Sequence, residues 1–229
     1  MRKLLNTLYI TSHEYYLSLD GENVVITQGK KEIGRLPLHN LEAVVTCGFA
    51  GASPALMEKC AANNISMTFL SSTGRFRAKV TGKAYGNILL RRTQYRMAED
   101  KKAALGIAVS FMTGKIYNER SVINRAVRDY AERLDTEKLI RVSEQLRDIL
   151  QAVKKVETME ALRGYEGEAA ARYFSQFDQL ILQQKEDFSF DVRNRRPPLD
   201  KVNALLSFTY SLLTGMCVAA LEAVGLDPY

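Results

Sequence analysis

The chain has 229 residues, of which 46% are hydrophobic and 25% charged, with 14 Gly and 5 Pro. That composition excludes a disordered, collagen-like or low-complexity chain, and the length allows one or two domains with a proper core. Thirty-two Lys and Arg against 26 Asp and Glu leave a formal charge of +6. Three widely spaced cysteines (Cys47, Cys60, Cys217) make neither a disulfide framework nor a zinc site. With His13 and His39 as its two histidines, the chain holds no histidine-rich metal cluster. The opening stretch is broken by Asn6 and Thr7 and lacks a small-residue cleavage pattern, so a cytoplasmic location is expected.

Residues 1–90 read as β-rich. Tyr15-Tyr16-Leu17-Ser18-Leu19 and Asn23-Val24-Val25-Ile26-Thr27 are β-prone runs joined by the hairpin signal Asp20-Gly21. Strands are also expected over residues 32–38, 43–46, 65–70 and 76–80. Ser53 is placed to N-cap a short helix through Ala62, and Ser71-Ser72-Thr73-Gly74 turns the chain between the last two strands. From about residue 95 the period becomes helical. Residues 98–134 read as one broken helix or two, with Gly114 as the break. Leu139, Val142, Leu146, Ile149, Val153 and Val156 then form an amphipathic stripe, capped by Asp135 or Thr136. A further helix is expected over residues 158–184, opened by Thr158.

Residues 202–221 carry no charge and are long enough to span a membrane. Asn203, Ser207, Thr209, Tyr210, Ser211 and Thr214 and the missing aromatic belt favour a buried helix of a bundle instead. Asp200 caps it, Gly225-Leu226 closes it in a Schellman motif, and Pro228 forbids continuation. The fold class is therefore α+β: a β-rich domain with one short helix over 1–90, then an α-helical domain over 91–229.

The charge is uneven. Nine basic residues lie between Arg75 and Lys102 (Arg75, Arg77, Lys79, Lys83, Arg91, Arg92, Arg96, Lys101, Lys102) against Glu99 and Asp100, so this segment alone carries +7. Such a concentration suits a polyanion, although a solvated charged surface produces the same count. On a helix advancing about 100° per residue, Glu166 falls with Leu162, Ala169, Ala170 and Tyr173 on the apolar face. A carboxylate buried there needs a cation, a metal or hydrogen bonds; a boundary glutamate paired with Arg163 or Arg172 is the plainer alternative. Gly167 costs the helix about 1 kcal/mol relative to Ala, which suggests a close approach to its backbone. Asn203, Ser207, Tyr210, Ser211 and Thr214 form a polar stripe on the last helix. Arg193, Arg195 and Arg196 run into Pro197-Pro198, a stiff loop suited to phosphate contacts.

These residues carry a family resemblance. Gly164-Tyr165-Glu166-Gly167-Glu168-Ala169-Ala170-Ala171-Arg172-Tyr173-Phe174 resembles the glutamate motif of the CRISPR-associated spacer-acquisition integrase, the "Cas-one" endonuclease. The stretch from Arg195-Arg196-Pro197-Pro198 through Leu213 resembles that family's second signature, and Gly225-Leu226-Asp227-Pro228 the opening of its third. Cys47-Gly48, Phe69-Leu70-Ser71-Ser72-Thr73-Gly74 and Arg92-Thr93-Gln94-Tyr95 fit as well, with subtype I-C the nearest. The resemblance implies a β domain that dimerises, a helical catalytic domain, and homodimers that flank a dimer of the small "Cas-two" partner. It implies metal-dependent integration of short DNA duplexes into the repeat array by transesterification, cleavage of branched DNA, and no membrane.

Glu166 matches the first of three metal ligands for Mg²⁺ or Mn²⁺, and so is the expected catalytic and metal residue. The family's other two, a His and an Asp beyond the Gly-Leu-Asp-Pro segment, have no counterpart before Tyr229. A chain cut short at its C-terminus and an inactive fragment are therefore expected. Lys201 and Thr209 depart from the family's usual Pro and Gly. Arg91, Arg92, Arg163, Arg193, Arg195 and Arg196 are the expected contacts to double-stranded and branched DNA, and Tyr165, Tyr173, Asn203, Ser207 and Tyr210 the expected site lining. The competing expectation is a non-catalytic DNA-binding scaffold subunit.

Overall fold

The computed structural model describes residues 6–80, 82 and 88–229. The expected Lys83 of the basic segment lies outside them. Strands occupy β1 (Thr7–Ile10), β2 (Tyr15–Asp20), β3 (Asn23–Gln28), β4 (Lys31–Pro37), β5 (Ala43–Cys47), β6 (Gly51–Ala52), β7 (Ser66–Leu70) and β8 (Phe76–Val80), with α1 (Pro54–Ala62) between β6 and β7. The helices that follow are α2 (Ile88–Glu99), α3 (Lys101–Tyr130), α4 (Thr136–Val153), α5 (Met159–Phe174) and α6 (Lys201–Ala223). The class is α+β, as expected. The residues group into two compact units, Met1–Arg92 with Phe208–Tyr229, and Thr93–Ser207.

In the first unit, one sheet runs β1-β5-β7-β8 and the other β4-β3-β2-β6. The β2–β3 hairpin closes on a two-residue loop, and Gly21 supplies the positive φ (58°) that a primed turn requires. The Ser53 hydroxyl accepts from the Leu56 amide at 3.2 Å, so α1 starts and ends where the sequence places it. Strand β5 continues through α1 to β7 as a parallel pair, and β1 joins β5 in parallel. Alternation puts Ile10, Val44 and Met67 of one sheet and Leu17, Val24 and Ile26 of the other into a shared core with Leu56 and Cys60 of α1. Burial of the Cys60 thiol there pushes its pKa up to about 11, so it packs as an inert apolar group. In the turn after β7, Gly74 takes φ +78°; a Cβ there would stand 2.5 Å from the Phe208 ring.

The last residues join this unit. Leu226 N–H donates to the Leu221 carbonyl and Gly225 N–H to that of Glu222, with Gly225 at φ +82°. This is the expected Schellman close. Lys79 pairs with Glu222 at 2.5 Å, and Arg91 Nε donates to the Gly225 carbonyl at 2.9 Å.

In the second unit, the α4 stripe is as expected. Leu139, Leu146 and Val153 are fully buried, and the Asp135 side chain accepts from the Lys138 amide. Ile116 and Ile123 of α3 and Leu162 and Ala169 of α5 complete that core. Three expectations are corrected. The break falls at Asp100, whose carboxylate caps α3 by accepting from Lys102 and Ala103; Gly114 sits inside an unbroken thirty-residue helix. There its cost of about 1 kcal/mol is offset by the burial of Ile116 and Ile123. Helix α5 ends at Phe174 rather than 184, because Tyr173, Phe174, Phe177 and Phe190 gather into an aromatic cluster that turns the chain back. Helix α6 is not a buried bundle helix: Val202 and Asn203 are its buried residues, and Leu205, Tyr210, Leu213 and Met216 are about half exposed. By length and mean hydropathy (1.7) it would pass as a membrane span, but its first turn is fixed by polar groups.

Asp200 is central to that first turn. Its carboxylate accepts from the Asn203 amide N–H at 2.7 Å and from Asn203 Nδ2 at 2.5 Å, and these bonds hold its pKa below the ordinary value. Stability from a depressed carboxylate is present above the unfolded pKa and lost as pH falls. Asp200→Ala is expected to cost about 1 kcal/mol at pH 7. The gap to wild type should close below pH 3.8 in thermal unfolding followed by circular dichroism.

Candidate functional site

The residues singled out by the sequence lie in three places. Arg91 and Arg92 stand on α2 and Tyr210 on α6, all in the first unit. The rest belong to the second unit, where they form two groups.

The first group surrounds Glu166. Thr158 opens α5 by accepting from the Ala161 amide at 3.1 Å, which sets the phase that carries Glu166. Its carboxylate faces α3: Lys115 Nζ donates to Oε1 at 2.9 Å, with the two side chains 40% and 45% exposed. Glu166 is therefore neither buried on an apolar face nor paired with Arg163 or Arg172; the latter lies 3.6 Å from Glu168 instead. Arg163 is exposed. A Cβ at Gly114, Gly164 or Gly167 would meet open space, so among the described residues nothing crowds the Gly167 backbone. One turn beyond Lys115, burial pushes the Glu119 carboxyl above the ordinary carboxylate range. The Lys115 charge opposes that shift and the Glu166 charge adds to it. Glu119 Oε2 is buried and finds no hydrogen-bond partner among the described residues.

Neither Lys115 nor Glu119 was anticipated from the sequence. Their i, i+4 spacing on one helix face was the signal available. Tyr165 packs against the helical core beside a hollow lined by Val156, Thr158 and Ala161. Tyr173 belongs to the aromatic cluster, 5.4 Å from the Phe174 ring centroid.

The second group centres on Asn203, which is fully buried. Asn203 Oδ1 accepts from Arg193 Nη1 at 2.6 Å and from the Asn194 amide at 3.1 Å, while Nδ2 donates to the Val192 carbonyl at 2.9 Å. Arg193 Nη2 reaches Ser207 Oγ at 3.4 Å. Arg193 is thus turned into the chain, where it ties the loop to α6, while Arg195 and Arg196 stay exposed. The polar stripe of α6 thus begins as the anchor of the loop before it. Farther along, Thr214 Oγ1 bonds back to the Tyr210 carbonyl at 2.8 Å.

The basic segment is partly spoken for. Lys79 and Arg91 bind Glu222 and the Gly225 carbonyl, and the Arg77 guanidinium lies 4.5 Å over the Phe49 ring. Arg92, Arg96, Lys101 and Lys102 are exposed on α2 and the start of α3. A separate cavity of 790 Å³ in the first unit, lined by Tyr9, Val45, Thr68, Leu70, Ser211 and Met216 among others, holds none of the expected site residues.

The sequence matches the family described as CRISPR associated protein Cas1 over residues 8–229. The chain belongs to that family. A CRISPR-associated endonuclease Cas1 of Chlorobaculum tepidum is 45% identical over 228 residues, covering 100% of this chain and 66% of the relative. Among solved structures, a Cas6-RT-Cas1–Cas2 complex matches at TM-score 0.73 and 25% identity, over 99% of this chain and 24% of that one. A casposase bound to an integration product matches at TM-score 0.77 and 23% identity, over 97% and 63%, a likeness of fold alone. This Cas1-family chain thus spans 66% of the length of that curated relative.

The family resemblance implies Mg²⁺ or Mn²⁺ at Glu166. No three ligating His, Cys, Asp or Glu side chains converge among the described residues. Glu166 is already held by Lys115, and burial disfavours the charged form of Glu119, so the described residues alone do not make a site for such an ion.

Asn203→Ala would remove the side-chain bonds to the Arg193 guanidinium, the Asn194 amide and the Val192 carbonyl in one step. Leaving buried polar groups unsatisfied costs about 1–3 kcal/mol each. A loss on the order of 3 kcal/mol, with faster proteolysis at residues 190–199, is the expected result in chemical denaturation and limited trypsinolysis.

Proposed function

We propose that this chain is the greater part of a metal-dependent DNA endonuclease and integrase of CRISPR adaptation, nearest to subtype I-C and acting in the cytoplasm. The observation that carries this reading is Glu166, presented on α5 with a partly exposed carboxylate and open space at Gly164 and Gly167. The relative named above as an endonuclease supports the activity. In this reading Glu166 supplies one ligand to the ion, and the two further ligands belong to the additional length of the relatives. When bound, Mg²⁺ or Mn²⁺ polarises the phosphoryl group and activates the attacking hydroxyl. The residues of the chain itself bind and orient: Arg92, Arg96, Lys101 and Lys102 neutralise backbone phosphates. Asn203 and Arg193 hold the loop that presents Arg195 and Arg196. The partners we infer are duplex and branched DNA, a second copy through the β-rich unit, and a Cas2-type protein, the last supported by the matching complex.

The second reading, a non-catalytic DNA-binding scaffold, is favoured by one observation: Glu166 already has a counter-charge in Lys115, and no third ligand converges on it among the described residues. One experiment separates the two. Cleavage of labelled branched DNA with Mn²⁺ or Mg²⁺ is compared for the 229-residue chain, the chain extended past Tyr229 with the unmatched part of the Chlorobaculum relative, and the extended chain with Glu166→Ala. Activity confined to the extended wild type supports the enzyme. Equal cutting by the Glu166→Ala chain, or none by either extended chain, leaves the scaffold.

Arg92→Ala with Arg96→Ala is expected to weaken binding to duplex DNA and to lower the slope of log K against log salt by roughly 1 per contact removed. Fluorescence anisotropy across 50–200 mM salt measures both. Arg91→Ala should instead lower stability, because its guanidinium caps the Gly225 carbonyl.

A further inference from the structure

On the loop before α6, Leu199 is 75% exposed and Val192 61% exposed. A single apolar side chain at a surface is ordinary, but the backbone that carries these two is tightly held. The Leu199 amide donates to Asn194 Oδ1 at 2.7 Å, and Asn194 Nδ2 donates to the Val192 carbonyl at 3.3 Å, so one asparagine ties both. Asn203 Nδ2 donates to the same carbonyl at 2.9 Å, and the Asn194 amide donates to Asn203 Oδ1 at 3.1 Å. Pro197 and Pro198 fix φ for the two residues before Leu199. The loop is therefore ordered while its apolar side chains stand in water. Leu199 directly precedes the Asp200 cap, a place from which an apolar residue normally packs on the fourth helical position. Here that position is Ala204, itself exposed and too short to cover a leucine.

Between the two apolar residues the chain carries Arg195 and Arg196, both exposed. A rigid apolar tip beside guanidinium groups suits the parting of stacked bases: arginines hold backbone phosphates, and the apolar group enters the base step. A loop ordered in advance loses little entropy on binding.

We infer that Leu199, supported by Val192, is a wedge that enters the open base step where a DNA duplex branches, and that it makes the chain prefer branched over continuous duplex DNA. A branch has already lost part of its stacking and pairing, so insertion costs least there. The inference rests on the DNA-binding part of the reading above, and neither on a metal nor on Glu166.

The test uses the 229-residue chain in EDTA, so that nothing is cut, with two DNA probes of equal length. One is a continuous duplex and the other a Y-shaped fork, each with 2-aminopurine at the same pair, which in the fork adjoins the branch. Anisotropy gives the affinities, and 2-aminopurine emission reports unstacking. Wild type should bind the fork about fivefold more tightly than the duplex and raise the fork's emission. Leu199→Ser should bring the fork down to the duplex affinity and leave emission flat, whereas Leu199→Met should keep both effects. Because the side chain is exposed, Leu199→Ser should unfold at the wild-type temperature. Arg195→Ala with Arg196→Ala should weaken both probes alike. A fork preference that survives Leu199→Ser, or emission that stays flat at saturating wild type, overturns the inference. Duplex and fork bound equally by wild type reject the wedge and leave the DNA-binding reading in place; binding of neither rejects both.

Discussion

The apolar stripe of α4 is the constraint that brings the chemistry of this chain together. Leu139, Leu146 and Val153 are fully buried against Ile116 and Ile123 of α3 and Leu162 and Ala169 of α5. None of these seven residues is reactive. Their packing nevertheless fixes the rotation of α3 and α5 about their own axes, and that rotation decides which residues face each other. Lys115 precedes Ile116, and Glu166 stands one turn from Leu162 and just short of one from Ala169. With the apolar contacts set, the ammonium and the carboxylate are brought within 2.9 Å across a gap of 51 residues in sequence. Close packing at interior density makes such a phase relation difficult to alter without opening a void.

A second organising element is polar. Helix α6 has a mean hydropathy of 1.7 over its most apolar window, yet its start is fixed by a buried asparagine rather than by leucines. Asn203 satisfies the loop before it through its side-chain oxygen and nitrogen, and Asp200 caps the same turn. A buried asparagine bonded through both its side-chain oxygen and nitrogen specifies one geometry more sharply than apolar contact does, because slipping by one residue would strand several groups together. This is how the loop bearing Arg195 and Arg196 acquires a defined position without regular structure of its own.

What the sequence made legible follows the range of the forces involved. The Asp20-Gly21 turn, the Ser53 cap, the α4 stripe with its Asp135 cap and the Gly225-Leu226 close are each governed by residues within a few positions, and each is found as read. Strands β1 and β6 were missed: β1 pairs in parallel with a strand 36 positions on, and β6 is two residues long. Gly114 misled because the tertiary burial of Ile116 and Ile123 just beyond it outweighs a local propensity of about 1 kcal/mol. Glu166 was read as a carboxylate on the apolar face, whereas its side chain is partly exposed and paired with Lys115. Its partner was not foreseen, since no spacing rule links α5 to the middle of α3. Arg91 and Arg193 were read as outward-facing cations, but carbonyl and amide groups distant in sequence claim them.

The first unit is discontinuous: residues 208–229 belong with residues 1–92, while the helical unit is a single stretch between them. During synthesis the helical unit emerges in full before residues 208–229 of the β-rich unit do. Parallel pairing such as β1 with β5 and β5 with β7 is slow to form because distant loops must close first. The nascent β-rich unit is therefore without the Glu222 and Gly225 anchors until residues 222–225 emerge. For that interval the apolar second half of α6 has yet to reach the unit it joins, a natural window for chaperone engagement.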